Sequence, residues 1–287
     1  MFSNGNNKNK QTILSKLTHG FSASIFDGCE CQSGYEDSRG VGIRIEGLNN
    51  HFGDNHVLKD ISLEVLPGET FAIIGPSGTG KSVLLKHIVN LIKPDSGRVF
   101  IDGADIGKRS ITDSNRFSYS MVFQTSALFN SLTVGENVGL WLREKEVFPE
   151  RRIRRIIREK LRLVGLGGKE NLQTSELSGG MKKRVAIARS LAMNPDLILY
   201  DEPTAELDPV TSDELARVIQ GLKERVNLTT VIVSHDLNFA LYLSDRVAMI
   251  SEGGIVEVGT PAQIKASQNP VVRNFIYTTT KGIKGED

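Results

Sequence analysis

Residues 75–82 have the sequence GPSGTGKS, which is the most informative motif of this chain. It fits the pattern G-x-x-x-x-G-K-S/T, in which glycines let backbone N–H groups turn inward around phosphates. In that pattern Lys81 neutralises the β- and γ-phosphates, and the Ser82 hydroxyl is placed to ligate Mg²⁺. The stretch therefore predicts a nucleotide phosphate site. Its candidate binding residues are Gly75, Pro76, Ser77, Gly78, Thr79, Gly80, Lys81 and Ser82.

The sequence on both sides of this loop favours a phosphate site over a flexible turn. A short apolar run at 71–74 precedes it, and residues 81–91 have helical spacing, with Leu84, Leu85, Ile88 and Leu91 on one side. Further short buried strands are expected at 119–123, 197–200, 230–233 and 247–250, with helices near 133–145, 150–164, 179–193 and 210–225. Because strands alternate with helices, the pattern predicts an α/β fold with a mostly parallel sheet.

The composition is compatible with a large hydrophobic core, and it disfavours general nucleic-acid binding and a membrane-spanning segment. The chain has 287 residues, 39% of them hydrophobic, with 35 Lys and Arg against 34 Asp and Glu. A formal charge of +1 gives no support to a general nucleic-acid binder, so we expect no nucleic-acid partner. No stretch approaches the roughly 18 to 20 apolar residues that span a bilayer, and no apolar signal-peptide core follows Met1. We therefore expect any membrane role to depend on a partner.

The first 40 residues differ from the remainder, and we expect a mobile arm with a short helix near 13–17. The arm contains Cys29 and Cys31, the only cysteines, which indicates a reducing compartment. Two thiols could contribute to a metal site, but four ligands are normally needed, so unremarkable thiols are the favoured interpretation. We expect one domain that contains the phosphate loop over 41–262, with a helical subdomain at about 125–193, and a C-terminal tail over 263–287.

A second candidate half of the site lies at residues 197–202, LILYDE, an apolar strand that ends in two carboxylates. A buried strand would deliver Asp201 to the sheet edge where the phosphate loop lies. Asp201 suits the Mg²⁺ shell, and Glu202 suits the water that attacks the γ-phosphate. A solvated acidic loop is the alternative. Residues 177–181, LSGGM, open a basic helix and offer either a second anion-binding helix start or a simple cap.

These motifs together resemble the nucleotide-binding subunit of ATP-binding-cassette (ABC) transporters over about residues 42–262. The pieces occur in the order of that family: the phosphate loop, Gln124 in MVFQ, LSGGM, LILYDE, residues 205–208 and residues 234–236. The resemblance implies a P-loop NTPase fold with a RecA-like mixed sheet core, an antiparallel β subdomain and an α-helical subdomain. It also implies ATP and Mg²⁺ as cofactors.

The resemblance assigns further roles. Phe52 would stack on adenine, although an ordinary buried core position is an alternative for this residue. Gln124 would contact Mg²⁺ or water, and its loop would face the membrane partner. Glu202 resembles the general base, and His235 resembles the residue that holds the γ-phosphate and orients that base. Finally, Ser178, Gly179 and Gly180 would bind the γ-phosphate held by a second copy, with Asp208 at the same dimer interface.

Three stretches most resemble the ATPase of Mce-type, or lipid-asymmetry-maintaining, phospholipid transport systems: residues 80–88, 177–192 and 199–209. Met181 and the lysines after it agree with that branch, whereas Glu206 stands where a glycine is often found. The tail at 269–275 resembles a segment that packs on the neighbouring subunit, with a plain surface helix as the alternative. The implied partners are an integral-membrane permease and an Mce-type lipid-binding protein, at the cytoplasmic face of the inner membrane.

Other functions remain open at this point. One is an ATPase subunit for import of small polar solutes such as amino acids; another is a soluble cassette protein of the ribosome or of DNA repair. A single phosphate loop and the lack of a heptad run disfavour the soluble alternative. A structural protein without catalysis would have lost Lys81, Asp201, Glu202 or His235. The basic residues 151–162 could lie near anionic headgroups or an acidic partner, although a solvated helical face is the simpler interpretation.

Overall fold

A computed structural model describes residues 40–108, 117–145 and 148–281 of the chain. The expected arm up to residue 39, with its helix and both cysteines, lies outside the described residues. The strands are β1 (Ile43–Phe52), β2 (Asn55–Val65), β3 (Thr70–Ile74), β4 (Ser96–Ile101), β5 (Ala104–Asp105), β6 (Tyr119–Val122), β7 (Leu197–Asp201), β8 (Thr229–Ser234), β9 (Arg246–Ser251) and β10 (Gly254–Gly259). The helices are α1 (Lys81–Ile88), α2 (Val134–Glu144), α3 (Glu150–Leu163), α4 (Gly179–Ala192), α5 (Pro209–Lys223), α6 (Leu237–Leu243), α7 (Pro261–Lys265) and α8 (Pro270–Lys281).

The central sheet has six strands in the order β10-β9-β3-β8-β7-β6. Every neighbouring pair from β9 to β6 is parallel, and only β10 runs antiparallel at the edge. All residues of β3, β7 and β8 are buried. Strands that are buried along their whole length are typical of a parallel sheet with both faces covered, as the sequence predicts.

A second sheet is antiparallel, with strands in the order β2-β1-β4-β5. Its buried residues alternate with exposed ones and join the core around Phe71, Leu84 and Leu85. Helices α2, α3 and α4 pack on one another and share a second core. Helix α2 begins with a capping box between Thr133 and Glu136.

Helix α1 is shorter than the sequence pattern predicts, because it ends at Ile88 rather than at Leu91. Asn90 adopts a left-handed backbone (φ 56°), and its N–H donates to the carbonyl of His87 at 3.0 Å. The N–H of Leu91 donates to the carbonyl of Lys86 at 2.8 Å. This pair of bonds is a Schellman ending, so Leu91 lies beyond the helix and is 43% exposed.

The described part of the tail contains α8, whose Val272 is fully buried against the described domain, with Phe275 and Ile276 partly buried beside it. The neighbour contact implied for this tail stays a prediction. Within the described ranges, no helix has the length and apolar character needed to cross a bilayer.

Candidate active site

Four parallel strands end together at one edge of the central sheet. The register pairs Ile74 of β3 with Ser234 of β8, Asp201 of β7 with Val233 of β8, and Val122 of β6 with Tyr200 of β7. The residues that follow these ends are the phosphate loop, Glu202, His235 and the turn that carries Gln124. The topology therefore gathers four predicted segments at one place, as a parallel sheet of this type does.

The phosphate loop is held tightly by its neighbours. Gly75 has φ 147°, and a Cβ there would lie 2.1 Å from the carbonyl oxygen of Ile250, so only glycine fits. Gly80, at the start of α1, has φ 93°, and a Cβ would lie 2.7 Å from a methyl carbon of Leu58. The loop thus passes between the end of β9 and strand β2, with no room for larger side chains at either glycine.

Lys81 is turned into the loop rather than into solvent. Its side chain is 5% exposed, and Nζ donates to the carbonyl oxygens of Gly75 and Pro76, both at 2.8 Å. Nζ also lies 3.9 Å from Oε1 of Glu202. Burial lowers the pKa of Lys81, while the negative charges of Glu202 and Asp201 oppose that effect. The arrangement places a buried cation where the loop would surround an anion.

Ser82 and Asp201 form the polar centre of the edge, because the Ser82 hydroxyl donates to Oδ1 of Asp201 at 2.6 Å. Asp201 is 8% exposed. Burial raises the pKa of its carboxyl, and the hydrogen bond from Ser82 acts in the opposite direction. A hydroxyl and a carboxylate side by side are hard oxygen donors of the kind that Mg²⁺ prefers, so this pair fits that ion.

Glu202 and His235 contact each other directly. Oε2 of Glu202 accepts from the backbone N–H of His235 at 3.1 Å and lies 2.8 Å from Nδ1 of its ring. The Glu202 side chain is 12% exposed, whereas that of His235 is 55% exposed. Glu202 has a left-handed backbone (φ 48°), and its N–H donates to the carbonyl of Val233 at 2.9 Å. The carboxylate is thus fixed between a buried ammonium and an accessible imidazole.

Phe52 is 51% exposed at the end of β1, so the buried-core alternative is wrong. It pairs with Asn55 across the β1–β2 hairpin, and the same β2 strand packs against Gly80 through Leu58. The hairpin therefore runs beside the phosphate loop and presents an aromatic face to solvent. Gln124 is also exposed, in the turn after β6.

Two cations on α4, Lys183 and Arg189, hold the turn after β6, and the sequence does not predict this role for either of them. Nζ of Lys183 donates to the carbonyl of Gln124. Arg189 donates to the carbonyls of Ser126 at 2.9 Å and Ala127 at 2.7 Å, and both of those residues have positive φ. Burial lowers the pKa of Lys183 and lowers that of Arg189 to about 10. In the sequence both resemble members of an ordinary basic helix.

Ser178 caps α4, because its Oγ accepts from the N–H of Met181 at 3.3 Å. Gly180 lies against α5, where a Cβ would be 2.3 Å from the Cγ2 methyl of Thr211. Asp208 caps α5 by accepting from the N–H of Thr211 at 3.0 Å and from its hydroxyl at 2.5 Å. The two helix starts therefore share Thr211.

The groups at residues 178–180 are not bonded to the phosphate loop of the same chain. Across the described ranges, no hydrogen bond or ion pair joins Ser178, Gly179 or Gly180 to residues 75–82. The structure thus brings together Lys81, Ser82, Asp201, Glu202 and His235, and it leaves residues 178–180 and Asp208 as a separate group.

The family model for ABC transporters matches residues 58–205, which include the phosphate loop, residues 177–181 and both carboxylates. The chain belongs to the ABC transporter family. It is an ATPase with the ABC nucleotide-binding fold, as the sequence predicts. The expected ATP cofactor is likewise confirmed.

Other ABC proteins of known sequence or structure are similar to this ABC ATPase over most of its length. The "Probable ribonucleotide transport ATP-binding protein mkl" of Mycobacterium leprae is 39% identical, over 83% of this chain and 69% of its own length. The "Intermembrane phospholipid transport system ATP-binding protein MlaF" of Haemophilus influenzae is 38% identical, over 84% and 92%. The "Sulfate/thiosulfate import ATP-binding protein CysA" of Synechococcus elongatus is 38% identical, over 83% and 68%.

A solved structure is described as the "Dimeric structure of a post-hydrolysis state of the ATP-binding cassette MJ0796 bound to ADP and Pi". It superposes on this ABC ATPase with a TM-score of 0.68 and 33% sequence identity, over 76% of this chain and 98% of the other.

Proposed function

We propose that this ABC ATPase energises phospholipid transport, as a pair of identical copies bound to an integral-membrane permease. The observation that carries the ATPase assignment to individual residues is the convergence of Lys81, Ser82, Asp201, Glu202 and His235 at one sheet edge. The lipid assignment is supported by the similarity to MlaF, which extends over 92% of that protein.

The phosphate loop and Lys81 bind the triphosphate of ATP. Nζ of Lys81 now donates to two loop carbonyls, and phosphate oxygens would compete for the same hydrogens. Backbone N–H groups at residues 75–82 and the start of α1 supply the remaining positive potential. The exposed ring of Phe52 stacks on the adenine.

Ser82 and Asp201 would hold Mg²⁺, and the Gln124 side chain is a third candidate ligand. Both oxygens suit this hard cation, and proteins commonly bind it through one or two side chains together with substrate phosphates. When bound, Mg²⁺ neutralises charge on the β- and γ-phosphates. Asp201 must be ionised for this role, and its burial makes ionisation harder than for an exposed aspartate.

Glu202 positions the attacking water and accepts its proton. The water oxygen bonds to the γ-phosphorus while the bond to the β–γ bridging oxygen breaks, so ADP leaves and inorganic phosphate forms. His235 keeps Glu202 in place through its backbone N–H and ring Nδ1. Its ring is 55% exposed and would be free to contact the γ-phosphate of bound ATP. Lys81 stabilises the charge that the phosphoryl oxygens carry.

Each site is completed by residues 178–180 of the second copy. This arrangement agrees with the separation of those residues from the phosphate loop of their own chain and with the dimeric MJ0796 cassette. Ser178, Gly179 and Gly180 then contact the γ-phosphate, and Asp208 lies at the interface between copies. ATP therefore joins two copies, and hydrolysis releases them, which moves the attached permease between two states.

The remaining partners follow from the lipid proposal. We infer a membrane permease contacted by the loop after Gln124, an Mce-type lipid-binding protein, and a peripheral position on the cytoplasmic face of the inner membrane. Import of a small polar solute is the second candidate, because the sulfate/thiosulfate importer CysA is also 38% identical.

The test is purification of the tagged full chain from its native membranes in mild detergent, with proteins and lipids identified by mass spectrometry. The Glu202→Gln variant loaded with ATP stabilises the assembly, and a Lys81→Ala variant serves as the matched control. A permease with an anchored Mce-type protein and bound phospholipid supports the proposal. A permease with a soluble solute-binding protein assigns small-molecule import instead, and ribosomal proteins without a permease exclude transport.

A further inference from the structure

One face of α3 carries a concentrated positive charge that the ATPase site does not use. The helix has seven basic side chains and two carboxylates, a formal net charge of +5, whereas the whole chain has +1. The buried residues on the opposite side are Ile153, Ile157, Lys160 and Leu161. Five exposed arginines remain: Arg151, Arg154, Arg155, Arg158 and Arg162.

These five arginines form one stripe, which we call the arginine face. At 3.6 residues per turn they lie within an arc of about 100°, and they extend over about 16 Å along the helix. Arg154 shares Glu150 with Arg143, at 3.0 Å for each pair. For the other four, no carboxylate of the described residues lies within 4.0 Å. The charges of these four arginines therefore have no carboxylate partner among the described residues.

The chemistry of the arginine face matches phosphate oxygens. Guanidinium groups stay charged at every physiological pH and bind phosphate through two parallel hydrogen bonds. The large exposed hydrophobic residues of the described chain are Phe52, Leu66, Leu91, Val210, Tyr242, Val258, Val271 and Tyr277, none of which lies on α3. Protein interfaces usually need an apolar centre, whereas a layer of anionic headgroups needs only positive charge.

We propose that the arginine face binds anionic phospholipid headgroups and holds this ATPase against the membrane surface, in addition to its contact with the permease. The charge complementarity carries the proposal, and it does not depend on lipid being the transported molecule. The stripe lies within the helices that follow the Gln124 turn, so such a contact would orient that part of the domain toward the bilayer.

The test is sedimentation of the purified full chain with phosphatidylcholine vesicles, with and without about one third phosphatidylglycerol. Each arginine near an anionic surface raises partitioning about five-fold. Combining Arg151→Gln, Arg155→Gln and Arg158→Gln should therefore weaken binding to the anionic vesicles about 100-fold. Glutamine is a good helix former, so unchanged circular dichroism and unchanged ATP hydrolysis should accompany the loss.

The matched control removes three exposed positive charges elsewhere, by combining Arg217→Gln, Arg225→Gln and Lys265→Gln. It has the same net charge as the stripe variant, and we expect its vesicle binding to fall less than about three-fold. Equal losses in the two variants would show that only overall charge matters and would overturn the proposal. Wild-type binding that is equal on neutral and anionic vesicles would also overturn it. So would preferential binding to soluble polyglutamate, because that result assigns the arginine face to an acidic protein.

Discussion

The close approach of α4 and α5 leads to a prediction that the structure makes quantitative. A Gly180→Ala change would place Cβ 2.3 Å from Cγ2 of Thr211, whereas carbon atoms rest at about 3.5–4.0 Å. Thr211 cannot turn away without losing its hydroxyl bond to Asp208. Overpacking of this kind lowers the free energy of unfolding by about 1–3 kcal/mol. Replacing a helical glycine with alanine raises it by about 0.5–1 kcal/mol, because alanine loses less backbone entropy on folding.

We therefore expect Gly180→Ala to lower the free energy of unfolding by about 1–2 kcal/mol. Thr211→Ser removes the Cγ2 methyl and keeps the hydroxyl that bonds to Asp208. In that background the same Gly180→Ala change should stabilise the chain by about 0.5–1 kcal/mol, so the coupling between the two sites is about 2 kcal/mol.

Urea denaturation of the four chains of this double-mutant cycle measures the coupling. The free energies of unfolding can be compared if their dependence on urea concentration is the same in all four chains. ATP hydrolysis should follow the same order, because the clash shifts residues 178–180 relative to Asp208. If Gly180→Ala costs the same free energy in both backgrounds, the Thr211 methyl does not restrict the side chain at position 180.

Three further changes test the site. Burial raises the pKa of Asp201, so the charged carboxylate destabilises the native chain when the pH rises through that pKa. Asp201→Asn removes this charge and should therefore raise the melting temperature by about 2–4 °C at pH 7 without Mg²⁺. Calorimetry should show that the rise in melting temperature vanishes toward pH 3.8, where the carboxyl becomes protonated. Mg²⁺-dependent hydrolysis by Asp201→Asn should fall at least about ten-fold. A melting temperature below that of the wild type at pH 7 would show that the Asp201 charge does not destabilise the native chain. Phe52→Ala should change the free energy of unfolding by less than about 0.5 kcal/mol, because the ring is exposed. In titration calorimetry it should weaken ATP binding by about 1–3 kcal/mol, whereas the control Phe52→Tyr should bind normally. Unchanged ATP affinity of Phe52→Ala would exclude the stacking role. Arg189→Lys keeps the charge and loses the paired bonds, so hydrogen exchange at residues 124–128 should accelerate, and unchanged protection would exclude Arg189 as their anchor.

Local patterns predict the central sheet well. The strands expected near 119–123, 197–200, 230–233 and 247–250 all form, and the helices near 133–145, 150–164, 179–193 and 210–225 are present within a few residues. Each pattern depends on neighbouring residues, namely apolar runs and helical spacing. Parallel strands then bring their carboxyl ends together. For this reason Oε2 of Glu202 and Nδ1 of His235, two residues that the sequence predicts for the site, lie 2.8 Å apart.

Contacts between distant residues were not predictable in this way. Arg189 reaches carbonyls 62 and 63 residues earlier, and the lysine at 183 resembles any lysine of a basic helix. The early end of α1 depends on the left-handed backbone of Asn90, which the apolar spacing up to Leu91 does not reveal. The contact of Gly180 with Thr211 likewise depends on how two helices meet.

In the proposed mechanism, Glu202 is the base of an ATPase that a second copy completes. The most direct measurement compares ATP binding, ATP hydrolysis and oligomeric state for the wild-type chain, Glu202→Gln and Lys81→Ala. Removal of a general base costs about 10²–10⁴-fold in rate. We expect that Glu202→Gln loses at least about 100-fold in hydrolysis, binds ATP as tightly as wild type and stays dimeric with ATP, whereas Lys81→Ala fails to bind. Hydrolysis by Glu202→Gln within about ten-fold of the wild-type rate would show that Glu202 is not the base.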